Sequence, residues 1–183
     1  MQSKTDLSQY DNSWYQPGAG ILKRALWFFV NACFFVSYNP FNGLKITLLR
    51  LFGARIGFGV VIKPAVNIKY PWKLSVGNYV WIGEKVWIDN LEEVMIGNNV
   101  CISQGAMLLC GNHNYKKSAF DLMTAKITLE DGSWIGARAI VCGGVICASH
   151  SVLTVNSVAV SDLVAYSINT GNPSQKVKDR IIS

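Results

Sequence analysis

From Ile56 onward the chain reads in units of six residues, usually led by an aliphatic. The chain divides into "IGFGVV", "IKPAVN", "IKYPWK", then "VGNYVW", "IGEKVW", "IDNLEE", then "IGNNVC", "ISQGAM", "LLCGNH". After a break come "LEDGSW", "IGARAI", "VCGGVI", "CASHSV", "LTVNSV" and "AVSDLV". Glycine often follows the leading aliphatic, and a small or β-branched residue usually stands fifth. A period of six with two inward positions matches neither an α-helix nor simple strand alternation. It predicts a coiled strand solenoid, each hexad forming one short flat face and the aliphatics stacking into a core. Three hexads make a turn of about 18 residues, and about six turns fit between Ile56 and Thr170. Glycine in second place suits a tight corner between faces.

Outside the repeat the pattern changes twice. Residues 1–20, "MQSKTDLSQYDNSWYQPGAG", are polar and close on Gly and Pro, which predicts a loosely ordered arm. "ILKRALWFFVNACFFV" (21–36) has helix length, "YNPFNG" breaks it, and "LKITLLRLFGARIG" predicts a second basic-apolar helix ending near Gly53. Residues 1–55 are thus an arm and helical cap, closing one end of the domain or resting on a membrane surface. The second irregularity is "CGNHNYKKSAFDLMTAKI" (110–127), which stops the repeat and extrudes a polar loop, 111–126, carrying His113. The solenoid resumes and runs to 173, and 174–183 reads as a basic C-terminal tail.

Composition narrows the function classes. Half of the 183 residues are hydrophobic and 15% are charged, which excludes a disordered chain. A formal charge of +6 suits an anionic partner, but the basic residues are scattered rather than striped with aromatics, so nucleic acid is not expected. Five cysteines, an odd number with no C-x-x-C pair, imply neither a disulfide framework nor a zinc site. The longest apolar run, "ALWFFVNACFFV", is shorter than a membrane span and starts too far in for a signal peptide. The expected location is cytoplasmic, at most peripheral at the inner face of the membrane.

The stretch from "LFGARIGFGVVIKPAVNIKYPWKLSVGNYVWIGEKVWIDN" to "LLCGNHNY", with "LEDGSWIGARAIVCGGV" and "NTGNPSQKVKDR", resembles the hexapeptide-repeat acyltransferases. The match is closest to the colanic-acid-biosynthesis type, kin of the maltose and galactoside O-acetyltransferases. The resemblance implies an all-β fold: a left-handed parallel β-helix, against the usual right-handed crossover, with a short N-terminal helical segment and an extruded catalytic loop. It implies acetyl-CoA as co-substrate with no metal required, a sugar or glycan acceptor, and a homotrimer with active sites between subunits.

His113 stands where such enzymes carry the catalytic histidine. Imidazole, with an ordinary pKa of about 6.5, is mostly neutral at cytoplasmic pH and can take a proton from a sugar hydroxyl. It would then return that proton to the departing thiolate. The resemblance also places Asn90, with Asp89 beside it, at an acceptor-contacting position, although Asn90 could equally form an asparagine ladder in the solenoid. Gln104 could face the cleft or the surface. Asn114 replaces the aspartate of a frequent "HDY". On the coenzyme side the resemblance implies Trp134 along the pantetheine channel, with a core or interface aromatic as the other reading. It places Ala137 and Val155 where backbone groups meet pantetheine, and Asn172, Pro173, Lys176 and Lys178 near the coenzyme's phosphates.

Two departures bear on affinity. "TVNSVAVSD" stands where kin read "GAGSVVTKD", so Ser161 replaces a lysine, and "CASHSV" and "LTVNSV" lose the usual Ile-Gly start. His150 reads as a surface histidine on a coil face. The expected function is O-acetylation of a sugar hydroxyl in exopolysaccharide or cell-surface glycan assembly. The alternatives are N-acetylation of an amino (nucleotide) sugar and a non-catalytic β-solenoid scaffold.

Overall fold

The computed structural model describes residues 4–183; the first three residues of the arm lie outside the described residues. From Arg55 the chain winds as a parallel β-helix with three faces. Face A holds Arg55–Ile56, Leu74–Val76, Val94–Ile96, Ile127–Leu129 and Ile146–Cys147. Face B holds Val61–Ile62, Trp81–Ile82, Cys101–Ile102, Trp134–Ile135, Val152–Leu153 and Ser167–Gly171. Face C holds Asn67–Ile68, Trp87–Asp89, Met107–Leu109, Ile140–Cys142 and Val158–Ala159. The leading aliphatics are register partners, and on face B Ile62, Ile82, Ile102, Ile135 and Leu153 stack in one buried column. The fifth-position residues Val60, Val80, Val86, Val100, Ala106 and Ala139 fill the space between columns.

Two expectations change in detail. The first turns hold 20 residues rather than 18, since Ile62 pairs with Ile82 and Ile82 with Ile102. The extra pair lies at the corner between faces C and A, where Pro71–Lys73 form a short 3₁₀ turn. After the loop Ile135 pairs with Leu153, restoring 18. The corner residues with positive φ are also not the second-position glycines. They sit fourth in the hexad, as with Ala65 (φ 59°), Lys85 (58°) and Arg138 (56°). The second-position glycines serve close stacking instead. A Cβ on Gly83 would meet the Gln104 backbone nitrogen at 2.6 Å, and one on Gly77 the Gly97 carbonyl carbon at 2.7 Å.

The expected helices form as α1 (Ile21–Val30), a π-helical continuation over Asn31–Val36, and α2 (Asn42–Leu51). They cover the first coil, whose strands end all three sheets and would otherwise leave backbone groups open. Trp27 Nε1 donates to the Ile68 carbonyl at 2.9 Å, and the Asn42 side chain both donates to Val60 O and accepts from Ile62 N. The Lys45 amine, on a side chain with no solvent exposure, donates to the Ile62 and Lys63 carbonyls. Burial holds it below the usual lysine range. At the far end Ser174–Asp179, read in the sequence as tail, is a strand folded antiparallel onto Ser167–Gly171.

Candidate active site

The loop leaves the coil after Met107–Leu109 of face C and returns at Ile127–Leu129 of face A, so it projects from the C–A corner. Its stem is an antiparallel pair, Gly111–His113 with Leu122–Thr124, and a 2.8 Å ion pair between Lys117 and Asp121 closes the tip. His113 is half-buried at the end of this stem. Its ring stacks on Phe120 with centroids 4.6 Å apart and planes 11° apart. His113 Nδ1 lies 2.9 Å from the Phe120 carbonyl oxygen. A carbonyl can only accept, so Nδ1 carries a proton, and in the neutral ring the lone pair is on Nε2. A backbone oxygen thus fixes the orientation of the ring. The Asn114 side chain is not the ring's hydrogen-bond partner; its Oδ1 accepts from Lys116 N at 3.1 Å, inside the loop.

The N-terminal arm, which sequence reasoning left without a role, lies over this histidine. Asp6 N donates to Ser118 O, the Tyr10 ring is 5.8 Å from the imidazole, and the Tyr15 hydroxyl donates to Leu91 O. Arm and loop border a cavity of about 570 Å³ of mixed polarity, with Tyr10, Asn12, Arg24, Lys69 and His113 on its polar side and Leu91 and Leu122 on its apolar side. An apolar groove of about 580 Å³ runs alongside under α1, lined by Trp27, Phe28, Val36 and Trp87. Arg24, Lys69 and Tyr70 line both spaces. The arm has no hydrophobic period, so only its tyrosines hinted at a site.

The acceptor-side residues separate. Asn90 is fully buried, with Oδ1 accepting from Tyr70 N at 2.9 Å and Nδ2 donating to Tyr70 O at 2.6 Å. Its side chain is spent on a ladder between turns and is closed to any acceptor. Asp89 pairs with Lys69 at 2.8 Å on the wall of the apolar groove. Gln104 is exposed at the B–C corner, in an open groove of about 400 Å³ with Trp81, Gly83 and Ser103.

The coenzyme-side residues gather along that same B–C corner. Trp134 is 45% exposed and donates from Nε1 to Ser103 Oγ at 2.9 Å. Ala137 and Val155 occupy the corner in consecutive turns, Asn156 N donating to Ala137 O. Asn172 and Pro173 turn the chain at the next level, before the strand that carries Lys176 and Lys178. Lys176 pairs with Asp179 at 2.7 Å. These residues leave an aromatic wall and an exposed Val155 beside stacked backbone. Within one chain they stand at a different corner from His113.

Other reactive groups are accounted for locally. Cys110, at the root of the loop, is buried and donates toward the Glu92 carbonyl; burial pushes its thiol up to about 11, so it is protonated at neutral pH. His150 stacks on Tyr166 at 4.8 Å, and Arg180 donates to its carbonyl. Among the described residues no group of three or more His, Cys, Asp or Glu could hold a metal ion.

Comparison with known proteins gives a consistent picture. No family model matches the chain. The chain is 34% identical over 165 residues, 90% of its length and 91% of the relative's, to an Escherichia coli (strain K12) protein that carries the name of a colanic acid biosynthesis acetyltransferase, WcaF. Among solved structures it resembles a hexapeptide-repeat-containing acetyltransferase of Vibrio cholerae O1 biovar eltor complexed with acetyl coenzyme A. The TM-score there is 0.79 at 18% identity, covering 88% of both chains. A maltose O-acetyltransferase of Clostridium difficile gives a TM-score of 0.76 at 16% identity, again over 88% of both chains. The fold is the left-handed parallel β-helix of those structures.

Proposed function

The chain belongs to the hexapeptide-repeat acetyltransferases of the colanic acid biosynthesis type, and from that premise we propose that it moves an acetyl group from acetyl-CoA to a sugar hydroxyl during surface-glycan assembly. The observation that carries the reading is the His113 imidazole, its Nδ1 proton fixed by the Phe120 carbonyl and its ring on the wall of the cavity bordered by arm and loop. Acetyl-CoA supplies the thioester. Nε2 takes the hydroxyl proton as the acceptor oxygen bonds to the acyl carbon, and passes it to the sulfur when the C–S bond breaks. Imidazolium is stabilised while it lasts by the carbonyl dipole facing Nδ1. Cys110 is a neutral thiol and offers no covalent relay, which favours direct transfer.

Trp134, Ala137 and Val155 would hold the pantetheine arm, with Asn172, Pro173, Lys176 and Lys178 toward the phosphates. Because they stand at a different corner from His113, the site is completed by a neighbouring copy, and a homotrimer meets that need. For the acceptor, the shared lining of Arg24, Lys69 and Tyr70 favours a sugar carried on a lipid: sugar at His113, anionic linkage at Arg24 and Lys69, chain in the apolar groove.

The test is thiol release from acetyl-CoA with free, nucleotide-linked and lipid-linked sugars, hydroxyl and amino forms side by side. We expect release that depends on a hydroxyl acceptor and falls at least about 10²-fold in His113→Ala. Release unchanged by that substitution would remove the general base. Preference for an amine would move the reaction to N-acetylation, and a folded chain that does not bind acetyl-CoA in calorimetry would be a scaffold.

A further inference from the structure

The cap presents a surface that extends well beyond the acceptor groove. Between Asn12 and Gly83 the chain contains no Asp or Glu, against eight basic residues: Lys23, Arg24, Lys45, Arg50, Arg55, Lys63, Lys69 and Lys73. The whole chain carries +6, so everything outside that stretch sums to −2. The positive charge of this protein therefore belongs to the cap and the first coils.

Within the cap, α1 faces two ways. Trp27 is its anchor, buried against the solenoid and bonded to Ile68 O. On the opposite side Ile21, Leu22, Leu26, Phe28 and Phe29 are exposed, Leu22 at 80% and Phe29 at 64%. At 100° per residue these positions, with Ala25, span an uninterrupted apolar arc of about 160°. Lys23 and Arg24 fall on either side of the Trp27 pole, so a basic residue stands toward each edge of the arc. An apolar arc edged by long cations lets the apolar chains sink while the charged heads stay at headgroup level.

Charge selects the occupant. A second copy meeting this one cap to cap would set Lys23, Arg24 and the basic residues around them against their like, whereas a sheet of lipid phosphates neutralises them. We propose that α1 is a membrane-surface helix, its apolar arc lying in an anionic phospholipid leaflet and the acid-free basic cap around it holding the phosphate headgroups. Arg24 stands at the edge of that arc and also lines the His113 cavity, so docking brings the acceptor cavity to headgroup level. The inference does not depend on the chemistry at His113.

Flotation of the purified full chain with phosphatidylglycerol–phosphatidylethanolamine vesicles, against phosphatidylcholine vesicles, tests it without acceptor or acetyl-CoA. The expected result is binding to the anionic vesicles only, reduced at least about tenfold in the double variant Leu22→Ser, Phe29→Ser. The same binding should weaken as salt rises from about 0.1 M to about 0.5 M. Both side chains are exposed, so an unchanged melting temperature separates lost docking from lost folding. The proposal is overturned by wild-type protein that does not float, by equal flotation of the double variant, or by equal binding to phosphatidylcholine. It is also overturned if the double variant's only effect is to split a larger assembly into smaller ones, which would make a second copy the occupant.

Discussion

The proton on His113 Nδ1 is held by a backbone oxygen, and a backbone oxygen survives any side-chain substitution at Asn114. Asn114→Ala should therefore keep kcat/KM within a few-fold of wild type, with the same pH profile, while His113→Ala loses two orders of magnitude or more. Steady-state kinetics over pH would check both. Asn90 behaves in the opposite sense. Removing its amide leaves the part-buried Tyr70 N–H and C=O unpaired and a small void in the ladder, so Asn90→Ala should cost about 1–2 kcal/mol in denaturant unfolding. His113 was legible in the sequence because the repeat stops beside it. Phe120 was not, since an orienting carbonyl has no side-chain signature. Asn90 offered two readings for the same reason: its partner lies 20 residues away, one turn below.

Among the elements, the repeating coil was the most legible, because two inward positions in every six leave no other periodic structure. What the repeat could not separate was why a given glycine is there. Gly83 has ordinary φ but sits against the Gln104 backbone, while Gly105 has φ +68° and only the flexible Arg138 side chain near its missing Cβ. The position of Gly105 is taken by Lys85 and Arg138 in the neighbouring turns, both at positive φ. Gly105→Ala should accordingly cost about 1 kcal/mol, and Gly83→Ala clearly more, because two backbones must part; thermal unfolding of the pair would rank them. The ladder at the A–B corner adds a pH signature. Asp131 accepts from Asn98 N and Nδ2, which lowers its carboxyl below the usual value. A carboxyl with a depressed folded pKa binds fewer protons folded than unfolded, so its contribution is present above about pH 4 and lost as pH falls below. Asp131→Asn should be less stable at neutral pH, and its stability should change less on acidification to about pH 3, as followed by melting temperature.

At the scale of the whole molecule, the proposed base and the proposed coenzyme wall stand at different corners of one chain. His113 projects from the C–A corner, and Trp134, Ala137 and Val155 line the B–C corner. In the proposed ring of three, each heterologous contact would set the loop of one copy against the corner of the next. A chain lacking the base and a chain with a blocked corner would then repair each other. His113→Ala lacks the base; Val155→Trp fills the corner from an exposed position that leaves the core untouched. Each homotrimer should be inactive. In a co-expressed mixture, half of the loops and half of the corners are intact, and independent pairing makes about a quarter of the sites whole. Thiol release recovering toward one quarter of wild type, only when the two chains are assembled together, is the expected outcome. Recovery that stays at zero would place base and coenzyme within one chain and remove the shared site.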